Sequence, residues 1–403
     1  MQLLNLPEKI YYMRGAVQYL EKMPEIHRVL IAADHDALNA GFIHRLNYYL
    51  EKNESAPVID VFYDINACAD TDSVYRGVGL MKSFRPDTVI ALGGGSVMDV
   101  AKAMSVLYAN PEETLASISD KYNTKTYEKN VKIVCIPTTS GSGAEITSSA
   151  VIRDNETGAK YHLVDCGIKP DVAIVDCGFA YSLSDESAAK QGMEVLAHAL
   201  EAYTSVLYSD YTDSFALHAI KMVFDYLPRS CKNGGEDRLA REKMHNAAAI
   251  AGMAYESTLC GVNSALSHGV SAETGVSKSI ADAVLLPYTI AYNADSNAPS
   301  EVWPKYGKKA AAERYREIAN YLGLPADTPE KGAESLIKAV NDLMDEIGVP
   351  KTFAEAGVEE NTYLNLIPVM ASRAENDRDI AGNPRLVKVE ELKELLKSAY
   401  YGK

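Results

Sequence analysis

Glu194 and His198 stand four residues apart in GMEVLAHALEAYTS, a spacing that puts both side chains on one helix face and lets them converge on a single ion. The same spacing also suits a solvated helix face. Here the neighbours Leu196, Ala197, Ala199 and Leu200 favour a buried helix, where a merely solvated pair is less comfortable. A second stretch, GVNSALSHGVSAETGVSKSIADAVLLP, holds one histidine, His268, and ten residues later Lys278. Serines and glycines fill places where a metal enzyme would need imidazoles. Lysine is protonated at neutral pH unless strongly desolvated, so it is a poor ligand and a good point cation.

Two glycine-rich loops offer another chemistry. In DTVIALGGGSVMDVAKAM an apolar run meets Gly94 and Gly95, then Ser96, then a helix carrying Asp99 and Lys102 in its first turns. Glycines let the backbone approach a phosphate, and a helix start offers unpaired N–H groups. A tight turn alone would also explain the cluster, and it is not the GxGxxG dinucleotide fingerprint. In PTTSGSGAEIT a polar loop follows another strand, with Thr138, Thr139 and Ser142 supplying hydroxyls where ligands bind parallel sheets. Asp34, ending RVLIAAD, suits a ribose hydroxyl pair and would repel a 2′-phosphate.

The elements that must position these groups change character along the chain. Apolar runs at Arg28 to Asp34, Val58 to Tyr63, Asp87 to Gly93, Lys132 to Pro137 and Asp171 to Asp176 read as strands. Helical segments between them, Asp36 to Lys52, Asp72 to Phe84 and Ser96 to Ala109, imply βαβ units and a largely parallel sheet. Ser148 to Asp165 reads as a hairpin. After Asp176 only helical periodicity appears: Ser184 to Leu207, Ser214 to Leu227, Arg238 to Tyr255, Ala281 to Ala294, Ala310 to Leu322, Gly332 to Ile347 and Val389 to Tyr400. Asn293 to Pro304 reads as a surface loop. The expectation is an α/β nucleotide-binding domain over residues 1–178 and an all-α catalytic domain over 179–403.

Composition sets the outer bounds. A chain of 403 residues is long for one core, and 47% hydrophobic with 24% charged residues fits a globular protein. A net charge of -15 argues against nucleic acid or an anionic membrane as partner. Six scattered cysteines without a CxxC pair read as reduced thiols, and MQLLNLPEKIYYMRG lacks a secretory pattern, so the cytoplasm is expected.

Taken together, PEKIYYMRGAVQYL, ALGGGSVMDVAKAM, IPTTSGSGAEIT, KPDVAIVD and GNPRLVKVEELKELLKSAYYG resemble, in order and over nearly the whole chain, the iron-containing (group III) alcohol dehydrogenases. The likeness is strongest to the alcohol dehydrogenase module of bifunctional aldehyde-alcohol dehydrogenases. It implies a dehydroquinate synthase-like fold: a Rossmann-like α/β domain, a helical domain, and hydride transfer between them. It assigns Asp34 to preference for NAD over NADP, and Gly94, Gly95 and Ser96 to the pyrophosphate, with Asp99 on the helix behind. Thr138 and Thr139 fall on the nicotinamide side, with Ser142 in place of a usual threonine. Lys160 falls near the ribose, and Leu183 in the segment against the cofactor.

The resemblance also implies one aspartate and three histidines around a divalent ion, and these positions hold Glu194, His198, Ser264 and Lys278. His268 matches a further histidine near the nicotinamide, and Asp379 a cysteine near the substrate. With two conventional ligands left, the expectation is no bound metal: the ammonium of Lys278 takes the ion's region, oriented by Glu194 and His198, and polarises or protonates a carbonyl oxygen, with His268 assisting. The opposing expectation makes Lys278 a salt-bridge plug in a dead site. The implied function is an NAD(H)-dependent oxidoreductase interconverting a small aldehyde or ketone and its alcohol, as a homodimer or larger homo-oligomer. One alternative is a reductase of carboxylate, sulfonate or phosphonate carbonyl compounds, with Lys190 helping to pair the acid. The other is a non-catalytic nucleotide-binding subunit.

Overall fold

Alternating burial organises the first half of the chain. On the strand Arg28–Ala33, Leu30 and Ala32 enter one apolar cluster, while Val29, Ile31 and Ala33 enter another on the opposite face. The same alternation recurs at Val89/Ala91 against Ile90/Leu92 and at Ile133/Cys135 against Val134/Ile136. Apolar residues on both faces require cover on both faces, the usual condition of a parallel sheet.

The computed structural model describes residues 3–66, 68–120, 125–295 and 311–402. Its sheet strands are β1 (Lys9–Tyr12), β2 (Arg28–Ala33), β3 (Val58–Phe62), β4 (Thr88–Gly93), β5 (Lys132–Pro137) and, after the antiparallel hairpin β6 (Ser149–Arg153) and β7 (Lys160–Val164), β8 (Val172–Val175). The order is β1-β8-β5-β4-β2-β3, all parallel. β1 carries no alternation a sequence reading would catch; it is four residues at the sheet edge. The helices here are α1 (His35–Asn39), α2 (Phe42–Leu50), α3 (Thr71–Phe84), α4 (Gly95–Ala109) and α5 (Leu115–Ser119). One helix was expected over Asp36 to Lys52; Gly41, at φ 74°, breaks it in two because that left-handed backbone ends a helix.

The chain divides into two compact units, Asn5–Leu183 and Ser184–Lys403 with Met1–Leu4. The second contains α6 (Asp185–Thr204), α7 (Asp210–Lys232), α8 (Arg238–Thr258), α9 (Val262–Thr274), α10 (Lys278–Ala294), α11 (Ala311–Tyr321), α12 (Pro329–Ile347), α13 (Glu360–Glu375) and α14 (Val389–Tyr401). No strand lies there among the described residues. From Gly192 to Thr204 every residue of α6 is buried, so it runs through the middle of the helical unit. A Cβ on Gly192 would collide with Leu227, so the glycine permits the close crossing of α6 and α7.

Helices α9 and α13 escaped the periodicity reading, and α10 begins at Lys278 rather than Ala281. The first turns of α9 and α10 are rich in serine and asparagine, which are poor helix formers without tertiary support. That support is visible for α9 in the burial of Val262, Ala265, Leu266 and Val270. The loop expected over Asn293 to Pro304 begins inside α10, and its part beyond Asp295 lies outside the described residues. Among the described residues no helix is long and apolar enough to cross a membrane.

Candidate active site

In the α/β unit the glycine-rich loops leave adjacent strands at one sheet edge. Gly93 and Pro137 are in register, and the N–H of Thr138 donates to the Gly93 carbonyl at 3.0 Å. Gly94 is the N-cap of α4, and among the described residues no side chain caps that helix. A Cβ on Gly94 would press on Thr139 at 3.3 Å, and one on Gly95 would meet Ser142 Oγ at 2.9 Å. The two loops therefore pack against each other only because both glycines lack side chains. An uncapped helix start beside hydroxyl-bearing Ser96, Thr139 and Ser142 fits a pyrophosphate, since its amide N–H groups and dipole favour an anion.

Other residues read as cofactor contacts also do structural work. Asp34 Oδ1 accepts the Ala37 N–H at 2.7 Å and caps α1, and burial raises its carboxyl above the ordinary range. Asp99 accepts the Val151 N–H at 3.1 Å, tying α4 to the hairpin. Lys102, a position the resemblance left without a role, is fully buried. It donates to Ala144 O at 2.7 Å, Ser149 O at 2.9 Å and Thr147 Oγ1 at 3.2 Å, so it clamps the second loop. In that loop burial pushes the Glu145 carboxyl up to about 7. Lys160 opens β7 opposite Arg153, and Leu183 ends the unit.

In the helical unit α6 and α10 bring Glu194, His198 and Lys278 together. Lys278 Nζ lies 2.9 Å from His198 Nε2 and 3.7 Å from Glu194 Oε1. Its tightest partner is Asp282 Oδ2 at 2.7 Å, one turn along α10. An i, i+4 lysine–aspartate pair needs no tertiary contact to form. It also explains how a cation is tolerated at the first position of a helix, where the dipole opposes it. Asp282 has no exposed side-chain surface, whereas the Lys278 side chain keeps 26%.

The protonation states follow from these contacts. Burial works against the Lys278 ammonium, but the carboxylates of Asp282 and Glu194 outweigh it and hold the group above the ordinary lysine value. Burial and then the neighbouring Lys278 charge drive His198 well below the usual histidine range, so its ring is neutral. Lysine only donates, so Nε2 accepts and Nδ1 carries the ring proton; among the described residues that buried Nδ1 has no hydrogen-bond partner. Burial raises Glu194, whose Oε2 accepts from Ser279 Oγ at 2.8 Å.

Ser264 is not among these contacts. Its hydroxyl donates to Glu201 Oε2 at 2.6 Å, and the N–H groups of Asn263 and Ser264 donate to the same carboxylate. Glu201 thus caps α9, whose own N-cap is Gly261; a Cβ there would meet Glu201 Oε1 at 3.0 Å. Burial pushes Glu201 up to about 8. His268 pairs through Nδ1 with Asp377 Oδ2 at 2.9 Å. Asp379, buried, accepts the Cys260 N–H at 3.3 Å. Asp282, Ser279, Glu201 and Asp377 were missed in the sequence. Only Asp282 had a signal there, its i, i+4 spacing from Lys278.

The donor atoms of Glu194, His198 and Asp282 all lie within 4.8 Å of one another, and such a set suits a divalent ion. The Lys278 ammonium stands among them. A divalent ion bonded to all three would take that same place, so the side chains present do not fit the resident ion that the resemblance implies.

The description of the iron-containing alcohol dehydrogenases matches residues 7–177, and that of the C-terminal part of the same family matches residues 188–400. The aldehyde-alcohol dehydrogenase of Streptococcus pneumoniae is 41% identical over 410 residues, covering 100% of this chain and 46% of that protein. The chain thus spans about half the length of this curated relative. An iron-containing alcohol dehydrogenase structure from Thermococcus thioreducens superposes with a TM-score of 0.88 at 32% identity, covering 100% of both chains. The sulfoacetaldehyde reductase of Bifidobacterium kashiwanohense, solved in complex with NAD+, superposes with a TM-score of 0.83 at 25% identity, again over 100% of both. Matched over both of its units, the chain belongs to the iron-containing alcohol dehydrogenase family, a family of oxidoreductases.

Proposed function

We propose that this chain is an NAD(H)-dependent oxidoreductase that interconverts a small aldehyde or ketone and its alcohol, with the Lys278 ammonium in the electrostatic role of a metal. The observation that carries this reading is the ammonium itself. It is fixed by Asp282 and His198, it stays charged, and a quarter of its side chain remains exposed. Bound NADH supplies the hydride; the uncapped α4 start, Thr138, Thr139 and Asp34 are the groups proposed to hold it. Lys278 donates a hydrogen bond to the carbonyl oxygen and its proton to the alkoxide that forms, which is a far stronger base than an amine. His198, neutral with Nε2 turned to the ammonium, and Asp282 keep Lys278 in place.

A cytoplasmic setting is part of the proposal and is supported by six free cysteines. Assembly as a homodimer or larger rests on the family resemblance alone. The acidic-carbonyl reading would use Lys190, which stands 3.6 Å from the exposed Glu186 in a surface i, i+4 pair. The test is NADH oxidation by purified protein against a panel of small aldehydes and ketones, with and without a strong chelator. Turnover that survives the chelator is expected. Silence across the panel would favour a non-catalytic nucleotide-binding subunit, and activity lost with extracted metal would remove Lys278 from the electrophile's role.

A further inference from the structure

The cluster around Lys278 has a property that does not depend on catalysis. We infer that Lys278 occupies the seat of a divalent cation, that the native chain therefore excludes such an ion, and that trimming this one side chain opens a three-ligand metal site made of Glu194, His198 and Asp282. The inference shares residues with the proposed activity but is read by metal binding. A protein inert toward every carbonyl compound would sink the proposed function and leave this inference standing.

The donors are already aimed. His198 Nε2 presents its lone pair to the ammonium at 2.9 Å, Asp282 Oδ2 lies 2.7 Å from it, and Glu194 Oε1 3.7 Å. Imidazole with two carboxylates is a set that zinc, cobalt, iron(II) and manganese accept, and three protein ligands plus water is the pattern of an open zinc site. Bonds of about 2.0–2.2 Å place tetrahedral donors roughly 3.4 Å apart, so a set within 4.8 Å must close by at most about 1.4 Å. Side-chain rotation covers that distance.

Both carboxylates keep their orienting partners without the lysine: Ser279 on Glu194 at 2.8 Å, and Asn263 Nδ2 near Asp282 Oδ1 at 3.4 Å. All three donors are buried, Glu194 and His198 at 7% and 5% exposure and Asp282 at 0%, so water competes poorly for an incoming ion. With Lys278 in place the two carboxylates already face one cation, and a second cation would meet both its charge and its bulk. With Lys278 trimmed, the carboxylates face none.

The experiment compares native protein with Lys278→Ala, each stripped with chelator and titrated with Co2+ by visible absorption and calorimetry. Native protein is expected to take up less than about a tenth of an equivalent, and Lys278→Ala about one, at an affinity at least roughly 100-fold higher and with ligand-field bands of a low-coordinate site. Adding Asp282→Asn to that variant should return affinity most of the way to the native level. Lys278→Ser serves if the alanine variant does not fold. Stoichiometric Co2+ in the native protein overturns the inference whatever the variants do, and so does a folded variant that binds none.

Discussion

Replacing Lys278 with methionine keeps much of the side-chain length and removes the charge, and the expected rate loss can be worked from the contacts. An oxyanion about 3 Å from Nζ gains roughly 5.5 kcal/mol at an effective dielectric of about 20. Asp282 Oδ2 lies 2.7 Å from the ammonium, on a side the oxyanion cannot share. At about 5.5 Å from the oxyanion it offsets roughly 3 kcal/mol of that gain. The methionine variant loses what this ion pair gives the oxyanion. The net loss is about 2.5 kcal/mol, roughly 70-fold in the hydride-transfer step. Single-turnover NADH oxidation with an accepted aldehyde measures that step directly, and NADH affinity measured alongside should change little. Lys278→Arg should restore little, because a planar guanidinium neither gives up a proton nor fits a point-charge site. A methionine variant with native hydride-transfer kinetics would refute the reasoning and leave Lys278 a structural plug.

Two further expectations concern the α/β unit. Asp34→Gly should narrow the ratio of kcat/KM for NADH over NADPH by at least about tenfold, the discrimination of one lost charged contact. Asp34→Asn keeps the capping acceptor on α1 and separates the two roles of this residue; an unchanged ratio in both variants would assign cofactor choice elsewhere. Glu145 should make stability depend on pH. Burial raises its folded value from 4.5 to about 7, so the folded state holds the proton more tightly than the unfolded chain. Its stabilising contribution is full below about pH 4.5, declines as pH rises and is gone above about pH 7, a change of about 3 kcal/mol. Urea unfolding of native protein and Glu145→Gln at pH 5, 6 and 8 should show the native stability falling relative to the variant; parallel profiles would mean that Glu145 is ionised throughout.

The α/β half was legible because most of its strands are short apolar runs separated by helical segments, the pattern of βαβ units. What escaped there was set by context: β1, four residues long and recognisable only by its pairing with β8, and the break at Gly41. In the helical half, periodicity found the amphipathic helices and missed α9, whose polar first turn is capped from another helix by Glu201. For the site, residue type and spacing drew attention to Glu194, His198 and Lys278, which the structure brings together. They could not show that Asp282 is the closer carboxylate, or that Ser264 bonds Glu201. Those facts depend on which faces of α6, α9 and α10 meet, and that information is spread over every residue packing the three helices.

Glu194, His198 and Glu201 ride on one buried rod, four and then three residues apart. A slip of one residue in α6 would turn all three by about 100° and dismantle both the lysine site and the cap of α9 at once. Lys278 and Ser264, by contrast, each enter from the first turn of a different helix, where one substitution alters one contact. The architecture thus separates a part that can change only as a block from parts that can change singly. A site built this way can exchange its central cation between metal and ammonium by point substitution, with the scaffold that aims the remaining groups left standing.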